Sequence, residues 1–397
     1  MMRILYWTPE FYPEIGGIEE LSRRFLPVFQ KLDYEFLVVA AHGRQRLPDV
    51  TSFNGIPVHR FQFREALGKR DCGAILAHQQ RIVQLKQSFN PHLVHLHFGD
   101  PYGYFHVTTS SAHPAPSLVT LHSIVDYPVR HDTLIGRLIS QASWVVGVSK
   151  ASLAEPRRAM PSIIDRSSVI YNGLDLPAPA PEPLDFRQPR ILCLGRVVKD
   201  KGFDLAVAAF AAVRQKFPTS RLIIAGDGLA RPALERQVRA LDLTETVEFL
   251  GWVDPDRVPG LINTATVVVV PSRFQEPFPL VALQAAQMAR PVVATRTGGL
   301  PESVAHGETG LVVDREDPHQ LADAVNFLLA HPEVAAAYGQ AARARVQAVF
   351  SPTRYVAAYD SLYKRLGSGI AASAPSPTRG LEGGPAGGEA ADEGAGG

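Results

Sequence analysis

Short apolar runs alternate with longer amphipathic stretches along this chain. In its N-terminal half the runs fall at 3–7, 36–41, 56–61, 93–96, 118–121, 144–148 and 169–171. In its C-terminal half they fall at 191–194, 222–225, 247–250, 267–270, 292–294 and 311–313. Most are continuous Val, Ile and Leu rather than strict alternations, as in strands covered on both faces of a parallel sheet. Between them, 203–217 puts Leu205, Ala209, Ala212 and Val213 on one helical face, and 230–243, 278–288 and 319–330 have similar spacing. Repeated strand–helix units predict α/β layers joined by right-handed crossovers.

A proline-alternating stretch, LPAPAPEPLDFRQP at 176–189, reads as a stiff extended spacer. It predicts an N-terminal Rossmann-like domain over 1–175, a linker over 176–189 and a second Rossmann-like domain over 190–350. A last amphipathic helix is expected over 351–366, with packing back onto the first domain as one option. The tail, 367–397, has almost nothing to bury and is expected to be disordered. Two parallel sheets facing each other would bring their ligand-binding edges into one crevice, so the chemistry is expected in loops just after strands.

With 397 residues there is room for two cores. A net charge of +1 supplies no overall basic field for nucleic acid. Cys72 and Cys193 are far apart and form no Cys-x-x-Cys pair, so neither a disulfide framework nor a thiolate zinc site is expected. Cys193 lies in an apolar run and reads as a small buried hydrophobe. The opening MMRILYWTPE has no long apolar run, and no stretch of 18 apolar residues follows. Neither a secretory leader nor a spanning helix is expected, and the location read from this is cytoplasmic. The amphipathic stretch 18–29, with Arg23 and Arg24, has two readings: a peripheral membrane contact, or an ordinary helix covering the first sheet.

Several loops carry candidate chemistry. Gly16 and Gly17 follow the first run, where paired glycines let backbone N–H groups approach a phosphate at a helix start. Arg196, Lys199 and Lys201 sit on the glycine-bounded loop 195–202, and such cations suit a diphosphate. Gly226 and Gly228 follow another strand; close backbone packing is their alternative to ligand binding. Glu276 stands at a proline-forced turn, with a helix expected to open near Phe278; the donor-binding stretch Phe278, Pro279, Leu280 and Val281 would then present the free N–H groups of its non-proline residues to phosphate. His122 ends the strand 118–121 and can hydrogen-bond a sugar hydroxyl. His97 and Asp100 are candidates for lining an acceptor pocket. His95 and His97 would share a strand face, but with no clear third ligand no metal is expected. Gly298 and Gly299 precede a further helix, and there a plain turn and a functional loop are both open readings.

In order, these segments resemble the retaining glycosyltransferases of family 4, which have the GT-B fold. The resemblance covers about 2–366 and rests on GGIEE, TLHS, VSK, YNGLD, GRVVKDKG, AGDG, FLGWV, FQEPFPLVALQ and TGGLPE. It implies two Rossmann-like domains facing a central cleft. Arg196 and Lys201 would neutralise a departing diphosphate, Glu276 would hold hydroxyls of the transferred sugar, and His122 would contact that sugar from the other domain. Trp252 and Val253 would lie beside the nucleotide base, and Asn172 would belong to the turn before the linker. The family pattern has a second glutamate that holds the ribose; this chain has Gln284 there, making that contact neutral. The implied donor is a UDP- or GDP-sugar, with no cofactor required. The acceptor would be a glycan, a lipid-linked molecule or a small molecule, with no nucleic-acid partner. The implied activity is retaining transfer of a hexose to a hydroxyl, in glycan, exopolysaccharide or glycolipid synthesis. A nucleotide-sugar epimerase of the same fold and a non-catalytic nucleotide-sugar-binding protein are the alternatives; a nicotinamide oxidoreductase is disfavoured because the full G-x-G-x-x-G is absent.

Overall fold

The computed structural model describes residues 1–368 apart from 15, 98–100, 126–128 and 175–178. Asp100, the first residues of the expected linker and the tail from 369 onward lie outside the described residues. Gly367 closes the last helix, Pro352–Gly367.

Eight strands form the N-terminal sheet: β1 Met2–Thr8, β2 Tyr34–Ala41, β3 Val50–Phe53, β4 Ile56–Phe61, β5 Leu93–Leu96, β6 Ser117–Leu121, β7 Trp144–Gly147 and β8 Ser167–Val169. Their order is β3-β4-β2-β1-β5-β6-β7-β8, and only the β3–β4 pair is antiparallel. Six strands form the second sheet: β9 Arg190–Leu194, β10 Arg221–Ala225, β11 Val247–Gly251, β12 Val267–Val270, β13 Val292–Thr295 and β14 Gly310–Val313. Their order is β11-β10-β9-β12-β13-β14, all parallel.

Both faces of each sheet are covered, which is why the strands are apolar throughout. Along β1, Leu5 and Trp7 enter one core cluster while Ile4 and Tyr6 enter the opposite one. In the second sheet Ile191 and Cys193 face one cluster and Leu192 the other. Cys193 is fully buried and its thiol is raised by burial. The expected strand at 169–171 ends earlier, at Val169. The edge strand β3 was missed because its residues are not consistently buried; its sequence signal is Asn54-Gly55, a two-residue turn with both φ values positive. The helix expected from Phe278 begins instead at Leu280. Phe278 precedes Pro279, and a residue before proline is pushed out of the helical region.

The first helix, Gly17–Gln30, buries Leu21, Phe25, Leu26 and Phe29 against the N-terminal sheet. Arg23 and Arg24 both bond Glu20. Its apolar face is thus taken up by the core, so the membrane reading of this stretch gives way to the covering-helix reading. Among the described residues, no helix is long and apolar enough to cross a membrane.

The last helix follows the second sheet in sequence but packs on the first. Tyr355, Tyr359, Leu362, Tyr363 and Leu366 join the cluster of Ile4, Tyr6 and Phe36. Tyr355 stacks near Phe25 at 4.3 Å between centroids, and Tyr34 donates to Asp360 Oδ1 at 2.8 Å. Leu362→Ala is therefore expected to lower stability by about 2–5 kcal/mol in urea unfolding. Leu229→Ala, at a side chain 97% exposed, should change it by less than about 0.5 kcal/mol. Equal effects would contradict this packing.

Candidate active site

The two sheets meet at a cleft holding a cavity of about 480 Å³. The N-terminal side contributes Gly17, Ile18, Glu19, His122, Val148 and Asn172. The C-terminal side contributes Arg196, Lys201, Ser272, Glu276 and the stretch from Pro277 to Val281. The size suits a small ligand.

The basic loop leaves β9 and is pinned by Val197, which is fully buried and donates to Asp227 O at 2.9 Å. A short turn, Lys199–Lys201, ends at Gly202 with φ +66°, where a Cβ would fall 2.0 Å from Pro271 O. Only glycine fits this approach. The loop after β12 is tied to it, since Arg273 N and Phe274 N donate to Asp200 O at 2.8 and 3.2 Å. The Arg273 guanidinium grips both oxygens of Asp204, at 2.5 and 2.8 Å, and its Nε reaches Glu316 at 2.7 Å. These ties bring Lys201 against Glu276. Lys201 Nζ and Ser272 Oγ both bond Glu276 Oε1, the latter at 2.7 Å. Glu276 is 6% exposed. Arg196 is exposed, lines the same cavity and has no hydrogen-bond or carboxylate partner among the described residues.

Gly298 and Gly299 back this loop. A Cβ on Gly298, at φ +53°, would lie 2.2 Å from Glu276 O, and Gly299 N donates to that oxygen at 2.7 Å. From the same segment Glu302 reaches across the cleft. Its carboxylate accepts from Lys150 N and Ala151 N, at 2.8 and 3.0 Å, at the start of the helix Lys150–Ala159. The Tyr171 hydroxyl donates to it at 3.1 Å.

His122 is half-buried in the cleft wall, and burial lowers its pKa to about 4, so it is neutral near pH 7. Behind it His97 is 2% exposed, and its two nitrogens meet His122 Nε2 at 3.0 Å and His95 Nδ1 at 3.2 Å. The expectation that His97 lines an open acceptor pocket is corrected: both ring nitrogens are engaged inside the domain. Glu19 faces the cavity, and its carboxyl is raised chiefly by burial.

Family models agree with this arrangement. Residues 15–177 match glycosyltransferase family 4, and residues 179–345 match the glycosyl transferases group 1. The chain belongs to the family 4, group 1 glycosyltransferases. Glycogen synthase of Mycobacterium tuberculosis is 30% identical over 295 residues, 66% of each chain. A GDP-mannose-dependent alpha-(1-6)-phosphatidylinositol monomannoside mannosyltransferase of Mycolicibacterium smegmatis is 36% identical over 162 residues, 39% of this chain and 42% of that one. The matches thus span about two thirds and about two fifths of these relatives' lengths. Among solved structures, sucrose-phosphate synthase from Thermosynechococcus elongatus superposes with a TM-score of 0.78 at 23% identity, covering 93% of this chain and all of that one. Anabaena HepE, solved with UDP, gives 0.75 at 22% identity, covering 91% of this chain and all of that one. The fold is GT-B.

Other expected donor residues of this glycosyltransferase-family chain have varied places. Gly16 precedes the first helix with extended backbone and Gly17 opens it. Gly226 and Gly228 serve packing: a Cβ would lie 1.8 Å from Gly195 O and 2.4 Å from Val197 O, so they seat the Arg196 loop rather than line the cavity. Trp252 and Val253 line a separate depression of about 620 Å³ with Asp254 and Arg257. Phe278 stacks on Tyr171 at 5.4 Å, at the joint between the sheets, while also bordering the cavity. Gln284 is half-buried on its helix, outside the cavity lining. Two residues have roles in the cleft that the sequence did not indicate. Asn172 lines the cavity with a buried Oδ1 that has no partner among the described residues. Glu302 had only its place in TGGLPE as a signal, because its partner lies 152 residues away.

The buried histidines set an acid limit on stability. Burial lowers His95 and His97 well below the ordinary 6.5, and His106 to about 3. Unfolding restores ordinary values, so below pH 6.5 the unfolded chain binds more protons and stability is lost as the pH is lowered. The Tm is expected to be highest above pH 6.5 and to decline toward pH 4, each buried histidine costing up to about 1.4 kcal/mol per pH unit. His106→Phe should shallow that decline in calorimetry; a Tm flat from pH 7 to 5 would contradict the assignment.

Proposed function

We propose that the protein transfers a hexose from a UDP- or GDP-sugar to an acceptor hydroxyl with retention of anomeric configuration. The observation that carries this reading is the charge arrangement in the cleft. Arg196 has no partner among the described residues, Lys201 is held at Glu276, and the start of the helix Leu280–Gln287 borders the same cavity. This set suits a diphosphate joined to a sugar. Both bonds to Glu276 fall on Oε1, leaving Oε2 to accept from a sugar hydroxyl. Asn172 Oδ1 and neutral His122 offer further contacts from the opposite wall.

In the proposed reaction the bond from the anomeric carbon to the phosphate oxygen breaks, and the electron pair leaves with the diphosphate. Arg196, Lys201 and the helix N-terminus stabilise the charge where it grows. The acceptor oxygen bonds to the anomeric carbon on the same face, and a departing phosphate oxygen takes the acceptor's proton. Cationic side chains supply the countercharge, so no cofactor is required. The Glu302 bridge supports a closed cleft that excludes water during transfer. Donor choice is supported only as a class: the mycobacterial mannosyltransferase is named for GDP-mannose, and HepE was solved with UDP and with UDP-glucose. A glycan, lipid-linked or small-molecule acceptor is part of the proposal, in glycan, exopolysaccharide or glycolipid synthesis.

Purified protein is to be screened with UDP-, GDP- and ADP-sugars by thermal shift and by release of nucleoside diphosphate. One donor should stabilise it, and Arg196→Ala and Lys201→Ala should each slow release by about 100–1,000-fold. Conversion of the donor into another nucleotide-sugar without acceptor would support an epimerase instead. The absence of stabilisation by every donor would sink the proposal.

A further inference from the structure

A chain of buried hydrogen bonds runs from the cleft into the core of the N-terminal domain. Alternate residues of an extended chain share a face, and His97, the residue after β5, continues its line by donating its N–H to Trp7 O at 2.8 Å, so His95 and His97 lie side by side. His122 Nε2 meets His97 Nδ1 at 3.0 Å, and His97 Nε2 meets His95 Nδ1 at 3.2 Å. His95 Nδ1 also meets the Tyr363 hydroxyl at 2.7 Å, and His95 Nε2 meets Thr120 Oγ1 at 2.9 Å. Thr120 Oγ1 in turn meets the Tyr359 hydroxyl at 3.0 Å. Tyr359 and Tyr363 belong to the last helix. The rings are packed as well as bonded: the His95 and His97 centroids are 3.9 Å apart, and Tyr6 lies 4.3 Å from His97.

The direction of this chain follows from proton counting. Burial keeps all three imidazoles neutral, so each carries one N–H and one lone pair. Burial also keeps Tyr363 a phenol. Among the described residues its hydroxyl has one hydrogen-bond partner, His95 Nδ1; accepting there would leave the buried O–H without an acceptor, so the satisfied arrangement has the phenol donating to Nδ1. His95 Nδ1 is then the acceptor, and His95 Nε2–H donates to Thr120. His97 Nε2 faces the same lone pair at the longer 3.2 Å and carries its proton toward it, so the Tyr363 hydroxyl and His97 Nε2–H share one acceptor. His97 Nδ1 is therefore a lone pair, and His122 Nε2–H donates to it. The remaining nitrogen of His122, Nδ1, is left as an acceptor.

We propose that Tyr363, His95 and His97 are positioning residues that fix His122 as its Nε2–H tautomer, so that this wall of the cleft offers a hydrogen-bond acceptor and not a donor. A substrate hydroxyl would then donate to His122. The use of His122 in transfer rests on the function proposed above; its tautomer does not. The last helix, which follows the second domain in sequence, thereby sets the chemistry of a residue in the first.

The test uses the full chain labelled with ¹⁵N-histidine near pH 7.5. Two-bond nitrogen–proton correlations report which ring nitrogen carries the proton, and His122→Asn assigns the His122 signals by their loss. The intact chain should show His122 in the Nε2–H form alone. Tyr363→Phe, two imidazoles away, and His97→Phe should each bring in the second tautomer, while near-UV circular dichroism confirms an intact fold. In donor turnover Tyr363→Phe should lower kcat by about 5–10-fold, the worth of one hydrogen bond, with the donor KM within about twofold. Finding His122 as Nδ1–H in the intact chain, or as one unchanged tautomer in both variants, would overturn the proposal. If the intact chain turns over no donor, the proposed function fails while the spectra still decide the tautomer.

Discussion

The cleft depends on one interaction, the contact of Lys201 and Ser272 with a single oxygen of Glu276. It joins the loop after β9 to the loop after β12, two neighbouring strands of the second sheet. A carboxylate 6% exposed cannot stand alone without a large desolvation cost. Lys201 and Ser272 offset that cost from one side, so the other oxygen remains free. Such a buried pair is weak evidence of stability in itself, but breaking it would leave an uncompensated charge. Much of the surrounding structure serves it. Gly202 and Gly298 allow backbone approaches that any side chain would block, and Arg273 clamps the two loops through Asp204.

The cleft also needs its two walls held in register. An apolar joint of Val148, Leu174, Phe278 and Phe350 spans the boundary between the sheets. Glu302 supplies its carboxylate to the first N–H groups of a helix in the opposite half, where helix dipole and free donors favour an anion. The last helix adds a third connection by returning to the first sheet. Small residues and loop ends, rather than large side chains, therefore decide where the catalytic candidates stand.

The basic loop, the Glu276 turn and the His122 strand end could be singled out because each is local: glycines, prolines and charges within a few residues of an apolar run. The roles of other residues were illegible for a physical reason. Gly226 and Gly228 look like a ligand loop, yet what they touch is the backbone of Gly195 and Val197, a contact made only by folding. His97 looked like a cleft residue because it follows a strand end, but it is covered by His122, His95 and Tyr6. Asn172 and Glu302 stood in motifs that gave no sign of their roles, since neither a buried oxygen without a partner among the described residues nor a bond across the cleft leaves a pattern in nearby residues.

What the sequence by itself determined is the two parallel-sheet halves, most strand positions and the family, because continuous apolar runs and short motifs encode burial and backbone conformation locally. What only the tertiary structure decided is which groups are partnered. The lack of a partner for Arg196 and for Glu276 Oε2 among the described residues, and the direction of the His122–His97–His95–Tyr363 chain, all depend on neighbours distant in sequence. A hydrogen bond is set by a few tenths of an ångström between such neighbours, and no run of adjacent residues carries that information.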